Sequence, residues 1–197
     1  MITIVESGGA NIASIRFALE RLGQKAEWTA DVDRIAKAER VMLPGVGAAK
    51  DAMQKLRARG LEECIKSLIC PVLGICLGMQ MLFDTSEEGQ TDMLGIIHSP
   101  VRKFSSEDGK TIPHMGWNLT KFDQEDHPLV QGIRAQAYFY FVHSYFAPLG
   151  GYTVGRTDYF SDHFSAIVAQ DNFMGCQFHP ERSGEAGSRV LENFTRM

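Results

Sequence analysis

The sequence predicts a single α/β domain over residues 1–197, with parallel strands joined by crossovers and helices on both faces of the sheet. Three observations lead there. Short β-rich runs alternate with helical periodicities through the first half of the chain. The 197 residues, 44% of them hydrophobic, are enough for one substantial core. No repeat, low-complexity stretch or linker divides the chain.

The first element is the strand "ITIV", broken by "ESGGAN". Ile12, Ile15, Leu19 and Leu22 then recur at helical spacing and stop at Gly23. "KAEWTA" reads as a second strand, and "ERVMLPGVG" as a buried strand leading into the helical "AAKDAMQKLRARG". A further helix, "LEECIKSLI", precedes the strand "PVLGI" and a helix over "LGMQMLFD". From about Gly95 the texture changes to shorter extended runs, "YFYFVHSYF", "YTVGRT", "SAIVAQ" and "FMGCQF", set apart by Gly, Asp, Asn and Pro. A last helix, "GEAGSRVLENFTRM", carries Val190, Leu191 and Phe194 on one face.

Composition excludes several functions. With a formal charge of −4 and 22% charged residues, the chain has no positive excess to neutralise a phosphate backbone, so nucleic acid is not an expected partner. The N-terminus lacks a basic stretch followed by a long apolar one, and no apolar run nears the roughly 20 residues that span a bilayer. A soluble, cytoplasmic protein without membrane contact is expected. Cys64, Cys70, Cys76 and Cys176 have neither Cys-x-x-Cys spacing nor disulfide density, which suits free thiols in a reducing compartment. The six histidines lack close ligand spacing, and neither a Gly-x-x-x-x-Gly-Lys nor a Gly-x-Gly-x-x-Gly segment is present. No metal and no cofactor are expected.

Gly74-Ile75-Cys76-Leu77-Gly78 has the form Gly-x-nucleophile-x-Gly at a strand-to-helix junction, the pattern of a nucleophile elbow with sulfur in place of oxygen. A tight turn there strains the nucleophile's backbone and crowds its neighbours, hence the glycines. A thiol at a helix start also faces unpaired N–H groups that favour the thiolate, and the Leu77 N–H would point toward a developing oxyanion. The same letters also describe a small buried cysteine at a strand end. "QFHPE" supplies a partner: Pro180 stops helix formation, so His179 and Glu181 are expected in extended chain, two residues apart and on one face. A carboxylate that orients an imidazole, which in turn serves a thiol, is a workable catalytic relay. A strand-end histidine followed by a solvated glutamate would read alike.

"GICLGMQ" and "QFHPE" together resemble the class I, or triad, glutamine amidotransferases. "LPGVGAAKDAM", "IPHMGWN" and "YFYFVHSYF", in that order, are similar to the subfamily of glutaminase subunits that serve imidazole glycerol phosphate synthase, and the likeness runs the length of the chain. The resemblance implies a mostly parallel mixed sheet and hydrolysis of the glutamine side-chain amide by Cys76, His179 and Glu181. Leu77 N–H and the backbone of Gly45, Val46 and Gly47 would form the oxyanion hole, with the glycines letting that loop reorient when a partner is loaded. Gln80, one helical turn beyond Cys76, and Glu88 would contact glutamine, Glu88 through the α-amino group. His143, Ser144 and Tyr145 would hold its α-carboxylate, and His114, Met115, Trp117 and Asn118 would face the partner.

The implied partner is a (βα)₈-barrel cyclase that receives ammonia in a heterodimer. Other readings of the same residues are a triad amidotransferase for a different acceptor, a non-catalytic regulatory subunit, or a stand-alone cysteine hydrolase. One departure stands out. Family members often carry Tyr-Gly-Met-Gly-Asn in the first loop, where this chain has Ser7-Gly8-Gly9-Ala10-Asn11, so detailed contacts are not carried over to Ser7, Gly9 or Ala10.

Overall fold

The computed structural model describes residues 1–7 and 12–197; beyond Ser7, the atypical first loop (residues 8–11) lies outside them. In chain order the elements are β1 (Ile2–Val5), α1 (Ile12–Arg21), β2 (Ala26–Thr29), α2 (Val32–Ala36), β3 (Arg40–Gly45), α3 (Ala49–Ala58), α4 (Leu61–Lys66), β4 (Val72–Cys76) and α5 (Leu77–Gln80). Then follow β5 (Phe83–Ser86), β6 (Thr91–Asp92), β7 (Ile97–Lys103), β8 (His114–Phe122), β9 (Gln136–His143), β10 (Tyr145–Phe146), β11 (Thr153–Tyr159), β12 (Asp162–Gln170), β13 (Phe173–Cys176) and α6 (Gly184–Thr195).

The main sheet runs β2-β1-β3-β4-β13-β12-β11-β8-β9, and β10-β7-β5-β6 form a small second one. The β2, β1, β3, β4 and β13 strands are parallel to one another, whereas β12, β11, β8 and β9 continue the sheet by antiparallel pairing. Parallel neighbours need crossovers, which the helices of the first half supply; the short turns of the second half allow hairpins.

The central strands read as unbroken apolar runs because both of their faces are covered. Period-2 alternation still sorts them. Ile2 and Ile4 of β1, Met42 of β3 and Leu73 and Ile75 of β4 join the apolar layer that α1 and α6 cover, through Ile15, Leu19, Val190, Leu191 and Phe194. Val5, Val41, Leu43 and Val72 point the other way, onto Ile35, Met53, Leu56, Leu61 and Ile65 of α2, α3 and α4. Each large aliphatic side chain removed from water in this way stabilises the fold by about 1.5–3 kcal/mol. No helix among the described residues is long and apolar enough to cross a membrane.

Candidate active site

β4 lies between β3 and β13, so three parallel strands deliver their carboxyl ends side by side, the edge at which open α/β sheets hold ligands. Cys76 is the last residue of β4 and pairs in register with Gly45. Its backbone sits at φ 55°, ψ −113°, a conformation that costs a residue with a side chain on the order of 1–3 kcal/mol. That single dihedral turns strand into helix. The helix is shorter than its sequence suggests: α5 ends at Gln80 rather than near Asp84, because the Leu82 carbonyl accepts from the N–H groups of Ile96 and Ile97 and Phe83 enters the small sheet. The dipole expected at Cys76 therefore reduces to the open N–H groups of one turn.

His179 and Glu181 meet, though not as neighbours on an extended strand. Pro180–Arg182 form a 3₁₀ turn with proline at its start, closed by the Arg182 N–H donating to the His179 carbonyl at 3.0 Å. The turn folds the Glu181 carboxylate back onto the ring, Oε1 lying 2.9 Å from Nδ1, with the two side chains 3% and 11% exposed. Ser183 fixes the base of this turn. Its hydroxyl donates to the His179 carbonyl at 2.7 Å and accepts from the Tyr140 N–H at 2.9 Å. The His179 N–H in turn donates to the Tyr140 carbonyl at 3.0 Å.

With Nδ1 held by Glu181, Nε2 is the nitrogen left for the sulfur. Burial works against a charged ring here. The hydrogen bond to Cys76, that to Glu181 and the charges of both outweigh it and push the His179 imidazole up to about 10.

A cavity of about 330 Å³ opens over these groups, walled by Cys76, Leu77 and His179 together with Val46 and Gly47, Glu88 and the 143–145 segment. Gly45 lies just beneath, the carbonyl of the preceding Pro44 accepting from the Ser7 hydroxyl at 2.5 Å, and Gly47 has φ +89°. Glu88 accepts from the Ala49 N–H at 2.8 Å, so it caps α3, whose own cap residue Ala48 offers no side-chain acceptor. The Val46–Gly47 loop and Glu88 are thus tied to one helix start.

Gln80 borders the cavity, and its amide nitrogen donates to the Tyr145 carbonyl at 2.7 Å and to Gln177 Oε1 at 2.8 Å, so it also braces the wall. His143 also turns inward. Its Nδ1 donates to the Tyr145 carbonyl at 2.8 Å, leaving the 143–145 backbone, with Ser144 and Tyr145 half-buried, to face the cavity.

The expected partner-facing residues divide into two sets. Met115 and Trp117 are 62% and 56% exposed on β8, beside exposed Tyr138 of β9. His114, by contrast, is buried: it stacks on Tyr159 and Phe141 with ring centroids 4.0 and 5.0 Å away, and belongs to the core. Asn118 is half-buried, donating to the Asp158 carbonyl at 2.9 Å and lying 3.3 Å from His114 Nε2. His114 Nδ1 is 3.2 Å from His143 Nε2. Because Nδ1 of His143 must carry a proton for the Tyr145 carbonyl, its Nε2 accepts from His114, whose Nε2 accepts from Asn118. This one-way chain requires both rings neutral. Burial agrees, holding His114 down to about 4 and His143, despite its bond to Tyr145, down to about 3.

The sign of the pH dependence follows. Unfolded histidines take up protons near pH 6.5, which buried His114 and His143 refuse, so stability falls as pH drops below about 6.5. His179 acts oppositely, its contribution being complete below about 6.5 and lost as pH rises through about 10. Urea midpoints measured between pH 5 and 9.5 should peak near neutrality, and His143→Asn should flatten the acid limb. A wild-type midpoint that is level from pH 7 to 5 would contradict the buried pair.

Among the described residues no group of three or more His, Cys, Asp or Glu is placed to hold a metal ion. Sequence reasoning passed over Gln177, fully buried beside Cys76, because the register that places it there is visible only in the folded sheet.

Comparison with known proteins agrees with this geometry. The family profile of "Glutamine amidotransferase class-I" matches residues 3–197. Two relatives carry the name imidazole glycerol phosphate synthase subunit HisH. One, from Photorhabdus laumondii, is 46% identical, covering 100% of this chain and 99% of its own length; the other, from Pasteurella multocida, is 48% identical over 98% and 96%. Among solved structures, a glutamine amidotransferase superposes with a TM-score of 0.74 at 18% identity, covering 99% of this chain and 97% of that one. PurLQS from Thermotoga maritima superposes with 0.73 at 20% identity, over 99% and 97%. The fold is thus shared with distant structures, and the full-length profile match and close relatives go further: this chain belongs to the class-I glutamine amidotransferase family.

Proposed function

We propose that this chain is the glutaminase subunit of an imidazole glycerol phosphate synthase, releasing ammonia from glutamine for a partner subunit. The observation that carries the catalytic part is that Cys76 and His179 wall one cavity while Glu181 holds the His179 ring from behind it. The full-length relatives carry the choice of synthase.

The Cys76 thiolate attacks the side-chain amide carbon of glutamine, and the electron pair of the carbonyl moves onto oxygen. Leu77 N–H and the backbone at Gly45, Val46 and Gly47 face that oxygen; one such donor is worth about 3 kcal/mol in the transition state. His179 protonates the departing nitrogen, ammonia leaves, and a γ-glutamyl thioester remains on Cys76. The now neutral ring takes a proton from water, whose oxygen attacks the thioester carbon, and glutamate leaves as the thiolate reforms. Glu88 receives the substrate's α-ammonium with the oxygen that Ala49 leaves free, and the 143–145 backbone receives its α-carboxylate.

The partner is a (βα)₈-barrel cyclase, and its seat is the exposed Met115, Trp117 and Tyr138 surface. Trp117 packs edge-on against Tyr140, which Arg182 of the triad turn covers with its guanidinium 4.6 Å from the ring centre. A partner resting there presses on the elements that set His179. Glutamate release by the isolated subunit should therefore rise at least ten-fold when the cyclase and its own substrate are added. Equal rates in the two conditions would remove the coupling and favour a stand-alone hydrolase.

A further inference from the structure

The geometry points to Gln177 as a positioning residue that holds the Cys76 sulfur and favours its charged form through an amide N–H. The inference rests on the reading of Cys76 as nucleophile. Cys176, the last residue of β13, pairs with Ile75, so the next residue, Gln177, lies across from Cys76 at the end of the parallel sheet. It is 0% exposed, and a primary amide so buried needs partners for both of its ends. Its Oε1 accepts from Gln80 Nε2 at 2.8 Å, and its Nε2 lies 3.8 Å from Cys76 Sγ, within reach for a hydrogen bond to sulfur.

The orientation of this amide follows from its neighbours. Gln80 Nε2 also donates to the Tyr145 carbonyl, which can only accept, so Gln80 must present its nitrogen on that side. Gln177 then has to meet Gln80 with oxygen and Cys76 with nitrogen. Flipping it would set NH₂ against NH₂ and oxygen against sulfur. The Tyr145 carbonyl is itself pinned by His143 Nδ1 at 2.8 Å, which makes the whole support rigid.

The sulfur also lies 3.9 Å from the Val142 carbonyl, an acceptor that suits a protonated thiol and repels a thiolate. Gln177 opposes that preference from within the core, while His179 does so from the cavity side. Because Gln177 does not line the cavity, it acts on the sulfur and not on glutamine. The same N–H stabilises the thiolate as it leaves the thioester, so the effect belongs in kcat.

Gln177→Met keeps length and burial and removes the donor. Alkylation of Cys76 by iodoacetamide, followed peptide by peptide between pH 5 and 9, should reach half its plateau rate about one pH unit higher than in the wild type. Below that midpoint labelling should be ~ten-fold slower, and kcat for glutamine should fall ~ten-fold with KM within about two-fold. A folded variant with an unmoved alkylation midpoint overturns the inference while leaving the nucleophile in place, even if its melting temperature falls. Wild-type Cys76 that labels no faster than Cys70 overturns both readings. If Gln177→Met does not fold, Gln80→Met carries the test: it removes the donor that orients Gln177, and its midpoint must rise for the inference to stand.

Discussion

Cys76→Ala should lower kcat for glutamine hydrolysis by a factor on the order of 10⁴–10⁶, with the protein still folded, because it removes the atom that carries the acyl group. His179→Ala should cost nearly as much, since the ring both protonates the departing nitrogen and activates water. Combining the two should cost little more than either alone: once the relay is broken, what remains is the oxyanion hole and the other walls of the cavity, which neither change touches. Glu181→Gln should cost less, about 10²–10³-fold. Its carboxylate orients Nδ1 at 2.9 Å and supports the charged ring, but Cys76 supports that charge as well. Acid-quenched assays of glutamate formation give all four numbers. A Cys76→Ala protein that retains a tenth of wild-type turnover would place the nucleophile elsewhere, and additive losses in the double variant would mean that the two residues do not act as one unit.

The parts of this site that share a strand or a turn were legible in the letters. Gly-x-Cys-x-Gly announces a strained junction, and His-Pro-Glu announces a pair that must lie close whatever the local backbone. The pairing was foreseen and its geometry was not. Extended chain was expected over 179–181, yet Pro180 also suits the first position of a 3₁₀ turn, and Ser183 and Tyr140 stabilise that alternative through contacts distant in sequence. Apolar density misled at α5: "GMQMLF" fits a period of 3.6 or of 2, and the decision falls to the carbonyl of Leu82, which finds its donors at Ile96 and Ile97.

α2 went unread although Asp31 marks its start, accepting from the Arg34 N–H at 3.1 Å. Five residues carry too little periodicity to be seen. β8 was equally obscure, since Met115 and Trp117 point outward where alternation would put polar residues. That inversion of pattern is itself informative, because a strand that spends large apolar side chains on solvent has something else to cover them.

Gly78→Ala should be the most damaging glycine-to-alanine change among the described residues. The β-carbon it adds would stand 1.7 Å from the Leu43 carbonyl oxygen, 2.8 Å from the Leu43 carbonyl carbon and 3.2 Å from that of Pro44. All three atoms are backbone of β3, itself paired in register with β4, so no side chain can swing aside to make room. The φ of Gly78 is not in the left-handed region, and the expected cost is therefore steric throughout. A loss of at least about 4 kcal/mol, or no folded protein, is expected from urea denaturation.

Any variant that does fold must push β3 and the elbow apart, which displaces the Gly45–Gly47 backbone from the oxyanion. A shift of about 1 Å there costs on the order of 10²-fold in kcat. Gly23→Ala is the informative contrast. Its φ of +70° is strained for alanine, but nothing lies within 4 Å of the added carbon, so it should lose only about 1 kcal/mol and keep full turnover. Equal destabilisation by the two substitutions would mean that the elbow is not wedged against β3. Gly78 is wedged against β3 and Gly74 against the Gly78–Met79 backbone of the elbow itself, so close approach of backbone, and not the flexibility of glycine, is why the chain places its thiol between these two residues without side chains.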